Sequence, residues 1–448
     1  MDTLTQLRSG QLNSTQRLNL SGDFTEFPAE IFDLADSLEV LDLSNNRLSS
    51  LPDDLGRLKQ LKILFCNNNQ FEELPAVLSH CPNLSMASFK ANRIQTVDEE
   101  ALTPTLRWLV LTDNQIDALP DAMGQLPRLQ KLMLAGNRLR SLPETMAACH
   151  NLELVRLAAN QLETLPTWLF DLPRLSWIAY AGNPLCRQLG FAGGDSAAAD
   201  EPQAARIPFT EIDWMELSMG EVLGQGASGI ISKALWTPPS GEPQTVAVKI
   251  FKGAITSDGL PDEEMQTCIA AGTHDNLVNV LGKIAHHPEQ KQGLVLSFIP
   301  PHYTNLGNPP SLDSCTRDTY SPDTTFSLPV LLRIVQGIAA AAAHLHTRSI
   351  LHGDLYAHNI LIDETGHPLL GDFGAASRYS VADSKIREAL QSIEVRAFGC
   401  LLEDLLDRCS TQSNSAYLQL RQLQNDCMIP VPTQRPSFEA IATILSSV

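Results

Sequence analysis

The chain has 448 residues, 43% of them hydrophobic, so it is too long for one ordinary domain and too apolar to be disordered. Its formal net charge of −19 excludes a general nucleic-acid binder, which would need a cationic surface. The opening MDTLTQLRSG has no basic-then-apolar leader, and IVQGIAAAAAHL at 334–345 is too short and Ala-rich for a bilayer, so no membrane span is expected. Nine cysteines without framework spacing, none in a C-x-x-C pair, predict reduced thiols and a cytoplasmic location.

The first predicted elements are repeats. LEVLDLSNNRLSSLP begins at Leu38, LKILFCNNNQFEELP at Leu61, LRWLVLTDNQIDALP at Leu106 and LQKLMLAGNRLRSLP at Leu129. With further copies at Leu84, Leu152 and Leu175 the starts are evenly spaced, and an imperfect copy opens near 15–28. Alternating leucines such as Leu41 and Leu43 point one way from a short strand. One turn cannot bury that face alone, so neighbours must stack. Asn46, Asn69, Asn92, Asn114, Asn137, Asn160 and Asn183 recur once per turn, where a buried carboxamide can satisfy backbone groups. Between the inward leucines the strands carry Ile63, Phe65, Met86, Trp108, Val110, Met133, Leu154 and Trp177. An exposed apolar stripe of this kind reads as a site for a protein partner or substrate on the concave face. The competing reading is that Trp177, nearest the next domain, packs against it. Over 15–186 the pattern resembles the leucine-rich repeat, which implies an α/β solenoid and a repeat domain at 1–186.

Residues 187–210, RQLGFAGGDSAAADEPQAARIPFT, read as a linker or cap. A second domain at 211–448 opens with Gly224, Gly226 and Gly229 in G-x-G-x-x-G spacing. Strand-like IISKALW and TVAVKIFKG follow, so a glycine-tipped hairpin fits better than a dinucleotide turn. Lys249 lies in an apolar strand and needs a partner; Glu263 and Glu264 follow in a helical segment. Then come Asp354, Asn359 and Asp372 in HGDLYAHN and DFG.

This ordered set, G-Q-G-A-S-G, V-A-V-K, H-G-D-L-Y-A-H-N and D-F-G, resembles the protein kinase family across 213–445. The resemblance implies an α+β two-lobed domain, with an N-lobe at about 211–299 and a C-lobe at about 326–448. It implies ATP and Mg2+ as cofactors, with Asp354 accepting the attacking hydroxyl's proton and Asn359 and Asp372 holding metal. Lys249 would hold phosphates and be fixed by Glu264, the family spacing favouring it over Glu263. Gly224, Gly226, Gly229, Ile231, Ala247, Leu296, Ser297, Phe298 and Ile299 would complete the nucleotide site.

Departures accompany the match. Gly353 replaces the arginine that commonly binds a phosphorylated activation loop, Tyr356 replaces the Ser/Thr-kinase lysine, and His358 replaces the tyrosine-kinase arginine. Glu394 stands for the family's helix aspartate, yet it follows Asp372 at only about half the separation usual in the family, and no A-P-E occurs between them. Arg435 is expected to lack its glutamate partner. The turn-rich stretch at 300–325 is expected to be a mobile insert, and His274 and His352 to be structural. A protein kinase of Ser/Thr type is the leading expectation; a catalytically silent nucleotide-binding scaffold and a small-molecule kinase are the alternatives.

Overall fold

A computed structural model describes residues 3–187, 210–226, 228–252, 255–256, 258–380 and 383–448. Apart from its ends, Arg187 and Thr210, the expected linker lies outside the described residues. The chain divides into two compact units, 1–175 and 176–448, so the last repeat strand belongs to the second unit.

In the first unit, seven short strands run parallel: β1 (Arg17–Asn19), β2 (Val40–Asp42), β3 (Ile63–Phe65), β4 (Met86–Ser88), β5 (Trp108–Val110), β6 (Lys131–Met133) and β7 (Leu154–Arg156). Each of the first six pairs with the equivalent positions one repeat later, as in Leu41 with Leu64 and Leu109 with Leu132. The central side chains, among them Leu18, Leu41, Leu64, Leu109, Leu132 and Val155, are buried. The return limbs are 3-10 turns such as Asp121–Gln125 and Glu144–Ala148, each preceded by a proline in extended or near-extended conformation, Pro120 and Pro143. Proline's fixed φ and missing N–H suit this entry into a turn. The helical side of the solenoid is therefore 3-10 rather than α-helical, because so short a repeat, once its strand and turns are made, leaves too little chain for a full helix.

The repeated asparagines form a ladder. Asn137 donates to the Leu111 and Leu134 carbonyls, both at 2.9 Å, and accepts from the Ile116 amide at 3.0 Å. Asn160 does the same for Leu134, Leu157 and Leu139 one turn on. Each side chain thus satisfies buried backbone of two turns, which the leucines cannot do.

The second unit begins with β8 (Trp177–Ala179). A six-stranded sheet follows, built from β9 (Glu211–Asp213), β10 (Leu217–Gln225), β11 (Gly229–Trp236), β12 (Gln244–Phe251), β13 (Val280–Ala285) and β14 (Gly293–Ser297), in the order β9-β13-β14-β12-β11-β10. Ile212, Val246, Val248 and Val295 form its core, and α1 (Pro261–Ala271) lies between β12 and β13 in the chain. Beyond it come α2 (Leu328–Thr347), the β15 (Ile360–Ile362) and β16 (Pro368–Leu370) hairpin, α3 (Ser384–Asp407), α4 (Ser415–Cys427) and α5 (Phe438–Ser447). Helix α2 is long and apolar enough, by length and composition, to cross a membrane. Here Leu331, Ile334, Val335, Ile338, Ala342 and Leu345 are buried at helical spacing, and the helix packs against α5 and β16.

The stretch at 300–325 is not the mobile insert that its turn residues predicted. Cys315, Thr316 and Asp318 are buried, and Arg317 pairs with Glu403 at 2.7 Å and Asp404 at 2.6 Å on α3. Charges that look solvent-facing in the sequence are neutralised inside the fold.

Replacing Asn137 by Ala should strand three buried backbone groups and destabilise the first unit by about 3 kcal/mol or more. Urea unfolding followed by circular dichroism checks this; a midpoint equal to wild type would contradict the ladder's role.

Candidate active site

Strands β10 and β11 form the antiparallel hairpin expected from the glycine pattern, with Gly224 opposite Ile231 and the Gly226 amide donating to the Gly229 carbonyl at 3.0 Å. A side chain at Gly224 or Gly226 would meet nothing within 4 Å, whereas a Cβ at Gly229 would lie 2.6 Å from the Ile250 carbonyl oxygen. Ala227, within the same pattern, lies outside the described residues.

Lys249 projects from β12 to an ion pair with Glu264, not Glu263. Pro261 at the first position of α1, with Asp262, Glu263 and Glu264 in the first turn, suits a helix N-terminus. Burial opposes the Lys249 charge, but the Glu264 and Asp372 carboxylates outweigh it and raise its pKa. Burial also pushes the Glu264 carboxyl up, while Lys249 pulls it back.

Asp354 is half-buried just before the 3-10 turn Ala357–Asn359. The Asn359 amide nitrogen donates to the Asp354 carboxylate at 2.8 Å and to its carbonyl at 3.0 Å. That leaves the Asn359 carbonyl oxygen as its donor to a cation. Asp372 is exposed in a left-handed conformation, φ 53°, and accepts from the Gly374 amide at 3.2 Å. His352 is buried, bonds the Gly371 carbonyl at 2.9 Å and lies 5.2 Å from the Phe373 ring, so its role is packing.

Two buried carboxylates hold this loop from below. Glu394 on α3 accepts from the Gly353 amide at 2.8 Å and pairs with His346 at 2.7 Å. Burial works against its charge, yet the bond and charge of His346 keep its pKa below the usual 4.5. Asp318 accepts from the Ala357 amide at 2.5 Å and the His358 ring at 2.7 Å. Burial lowers the His358 pKa, but the bond to Asp318 and the charges of Asp318, Asp354 and Asp372 raise it overall. Arg435 bonds the Ile429 and Ser392 carbonyls at 2.9 and 3.0 Å, and burial brings its pKa down to about 10. His274 accepts from the Asn276 amide at 3.1 Å, a turn contact.

A cavity of about 480 Å³ lies among these elements. Ile231, Ala247, Leu296, Ser297, Phe298 and Ile299 line it, together with Lys249, Glu264, Asn359 and Asp372. Among the described residues the lining excludes Asp354 and the three glycines, although Asp354 is tied to it through Asn359. An apolar wall with two hard oxygen donors and an ammonium fits a magnesium-bearing nucleotide.

The repeat stripe differs from expectation. Met86, Val110, Met133, Leu154 and Trp177 are buried, and Ile63, Phe65 and Trp108 are half-buried. Met86 stands in register between Ile63 and Trp108 on the neighbouring strands, and the Lys131 ammonium sits 4.1 Å from the Trp108 ring. Trp177 stacks on Tyr356 with ring centroids 4.3 Å apart and planes 9° from parallel. Its indole N–H donates to the Leu355 carbonyl at 3.2 Å, so the packing reading holds for this residue. Asp318 was missed altogether: in SCTRDTYS only the adjacent arginine hints at a buried charge.

A family profile described as "Protein tyrosine and serine/threonine kinase" matches residues 217–398, and leucine-rich-repeat profiles match 36–80, 88–139 and 127–185. Fibroblast growth factor receptor 1 of Xenopus laevis is 24% identical over 328 residues, covering 60% of this chain and 39% of its own. The tyrosine-protein kinase transforming protein RYK of avian retrovirus RPL30 is 26% identical over 212 residues, 46% of each chain. The leucine-rich repeat receptor-like protein kinase PXC1 of Arabidopsis thaliana is 26% identical over 238 residues, 48% of this chain and 34% of its own. The chain thus spans under half the length of these relatives.

Glu394 gives an acid-stability prediction. Its folded pKa is depressed, so its stabilisation is complete above pH 4.5 and disappears as pH falls through the lower folded value. Glu394→Gln should start less stable at neutral pH and lose less on acidification, read from urea midpoints across that range. Parallel acid curves for the two proteins would refute the pairing.

Proposed function

Because the chain joins leucine-rich repeats to a protein kinase domain, we propose that it transfers the γ-phosphoryl group of ATP to a Ser or Thr hydroxyl of a protein. The observation that carries this reading is the convergence of Lys249, Glu264, Asn359 and Asp372 on one cavity, with Asp354 bonded to Asn359. Lys249, held upright by Glu264, orients the nucleotide phosphates. Asn359 and Asp372 supply the oxygen ligands for magnesium, which neutralises phosphate charge when bound. Asp354 orients the acceptor hydroxyl and takes its proton. Positioning and charge neutralisation account for most of such a reaction. His358 occupies the place of the tyrosine-kinase arginine, but its ring is committed to Asp318, which favours Ser/Thr over Tyr.

We further propose a cytoplasmic enzyme whose repeats recruit a protein partner or substrate. The nine cysteines are thiols, most of them buried, which accords with a reducing compartment. A second reading, a nucleotide-binding scaffold without turnover, draws on Tyr356: the residue in place of the family's lysine is buried beneath Trp177 and brings no charge to the phosphates.

Radiolabelled magnesium-ATP separates the two. Asp354→Ala and Asp372→Ala should each cut phosphate incorporation about 100-fold or more relative to wild type, the usual scale for removing a proton acceptor or charge stabiliser. Equal incorporation in all three proteins would remove the site assignment, and tight ATP binding without incorporation by wild type would establish the scaffold. Lys249→Met should weaken nucleotide binding itself, measured by calorimetry.

A further inference from the structure

The backbone around Asp354 is held from below by Glu394 and Asp318. From the other side it is held by a segment far away in the chain, residues 176–180, which lies within the same compact unit. Trp177 donates to the carbonyl of Leu355, the residue directly after Asp354, and its ring covers Tyr356. Gly353, directly before Asp354, has φ +72°, and a Cβ there would lie 2.4 Å from the Ile178 carbonyl oxygen and 2.8 Å from that of Ala375. Only glycine permits that approach. The Tyr180 amide donates to the Ser377 hydroxyl at 3.0 Å, and the Tyr180 hydroxyl donates to the Arg378 carbonyl at 3.3 Å. Ser377 and Arg378 pair in turn with Leu351 and Ile350, the strand that leads into the Asp354 loop.

One short segment therefore grips both the loop bearing Asp354 and the strand following Asp-Phe-Gly, on two sides, through an aromatic stack and neutral hydrogen bonds. We propose that Trp177, carried on β8, is a positioning residue for the phosphotransfer proposed above: through Leu355 and Tyr356 it fixes the carboxylate of Asp354. Gly353 is its counterpart, the gap that lets β8 seat. The role rests on the kinase reading, but the seating of β8 can be measured without turnover.

The experiment uses the full chain and four variants: Trp177→Ala, Trp177→Phe, Gly353→Ala and the double variant Trp177→Ala with Gly353→Ala. Gly272→Ala is the control, because Gly272 also has φ +66° but its nearest contact to an added Cβ is 3.5 Å away. Steady-state kinetics should show kcat reduced tenfold or more in Trp177→Ala and Gly353→Ala, with KM for magnesium-ATP within twofold. Trp177→Phe keeps the stack and loses the N–H, so its kcat should fall between. The double variant should be no worse than the worse single one, because both changes unseat the same strand. Gly272→Ala should retain wild-type kcat.

Amide hydrogen exchange over 353–359 and 376–379 supplies the second readout. Both regions should lose protection in Trp177→Ala and Gly353→Ala and keep it in Gly272→Ala. Unchanged protection and kcat in Trp177→Ala overturns the proposal. So does a rise in kcat, which would make β8 a block on the acceptor. If Trp177→Ala does not fold, Trp177→Phe decides: wild-type kcat and protection there overturn it. A wild type without turnover refutes the kinase reading alone, and the exchange data still decide whether β8 braces the loop.

Discussion

The constraint on which the second unit turns is the burial of Glu394. A carboxylate deep under a loop costs several kcal/mol to desolvate unless donors surround it. Here the donors are the His346 ring on one oxygen and the Gly353 amide on the other. The bond to Gly353 is to its backbone amide, so the carboxylate positions the main chain directly beside Asp354. Asp318 repeats the device at Ala357 and His358. Two charges that would be costly alone thus become the fixed points from which a functional loop is hung.

The same logic in neutral form organises the first unit. Stacked turns bury backbone that no strand or helix ladder satisfies, and a carboxamide per turn supplies both a donor and an acceptor. The strands, Trp108–Val110 and Lys131–Met133 among them, are too short to supply much hydrogen bonding of their own. Stability is then a property of neighbouring turns taken together, as expected for solenoids.

Much of this was legible in the chain because it is carried by local, periodic or ordered signals. An even step from one copy to the next betrays stacking, and the alternation of Leu41 and Leu43 gives the buried face. That Lys249 needs a carboxylate partner followed from a charge stranded in an apolar strand, and the kinase resemblance pointed to Glu264 rather than Glu263. What escaped is non-local. Arg317 and Asp318 sit in a stretch rich in turn residues, and only the fold shows that acidic side chains of α3 and amides of the Asp354 loop neutralise them. The repeat stripe looked exposed because strand alternation says which way a side chain points, not how closely it is covered; Met86 and Met133 are buried. Trp177 was readable only as one of two options, since its partners lie far later in the chain, at Leu355 and Tyr356.

The approach of the Ile178 carbonyl to Gly353 has a consequence for how such a loop can be controlled. An arginine restored at that position, to grasp a phosphorylated side chain, would need the volume that the carbonyl already fills. Charge-based switching and the seated strand are therefore mutually exclusive occupants of one space no larger than a methyl group. Because the obstacle is a main-chain carbonyl, no substitution at position 178 removes it; the strand itself would have to move.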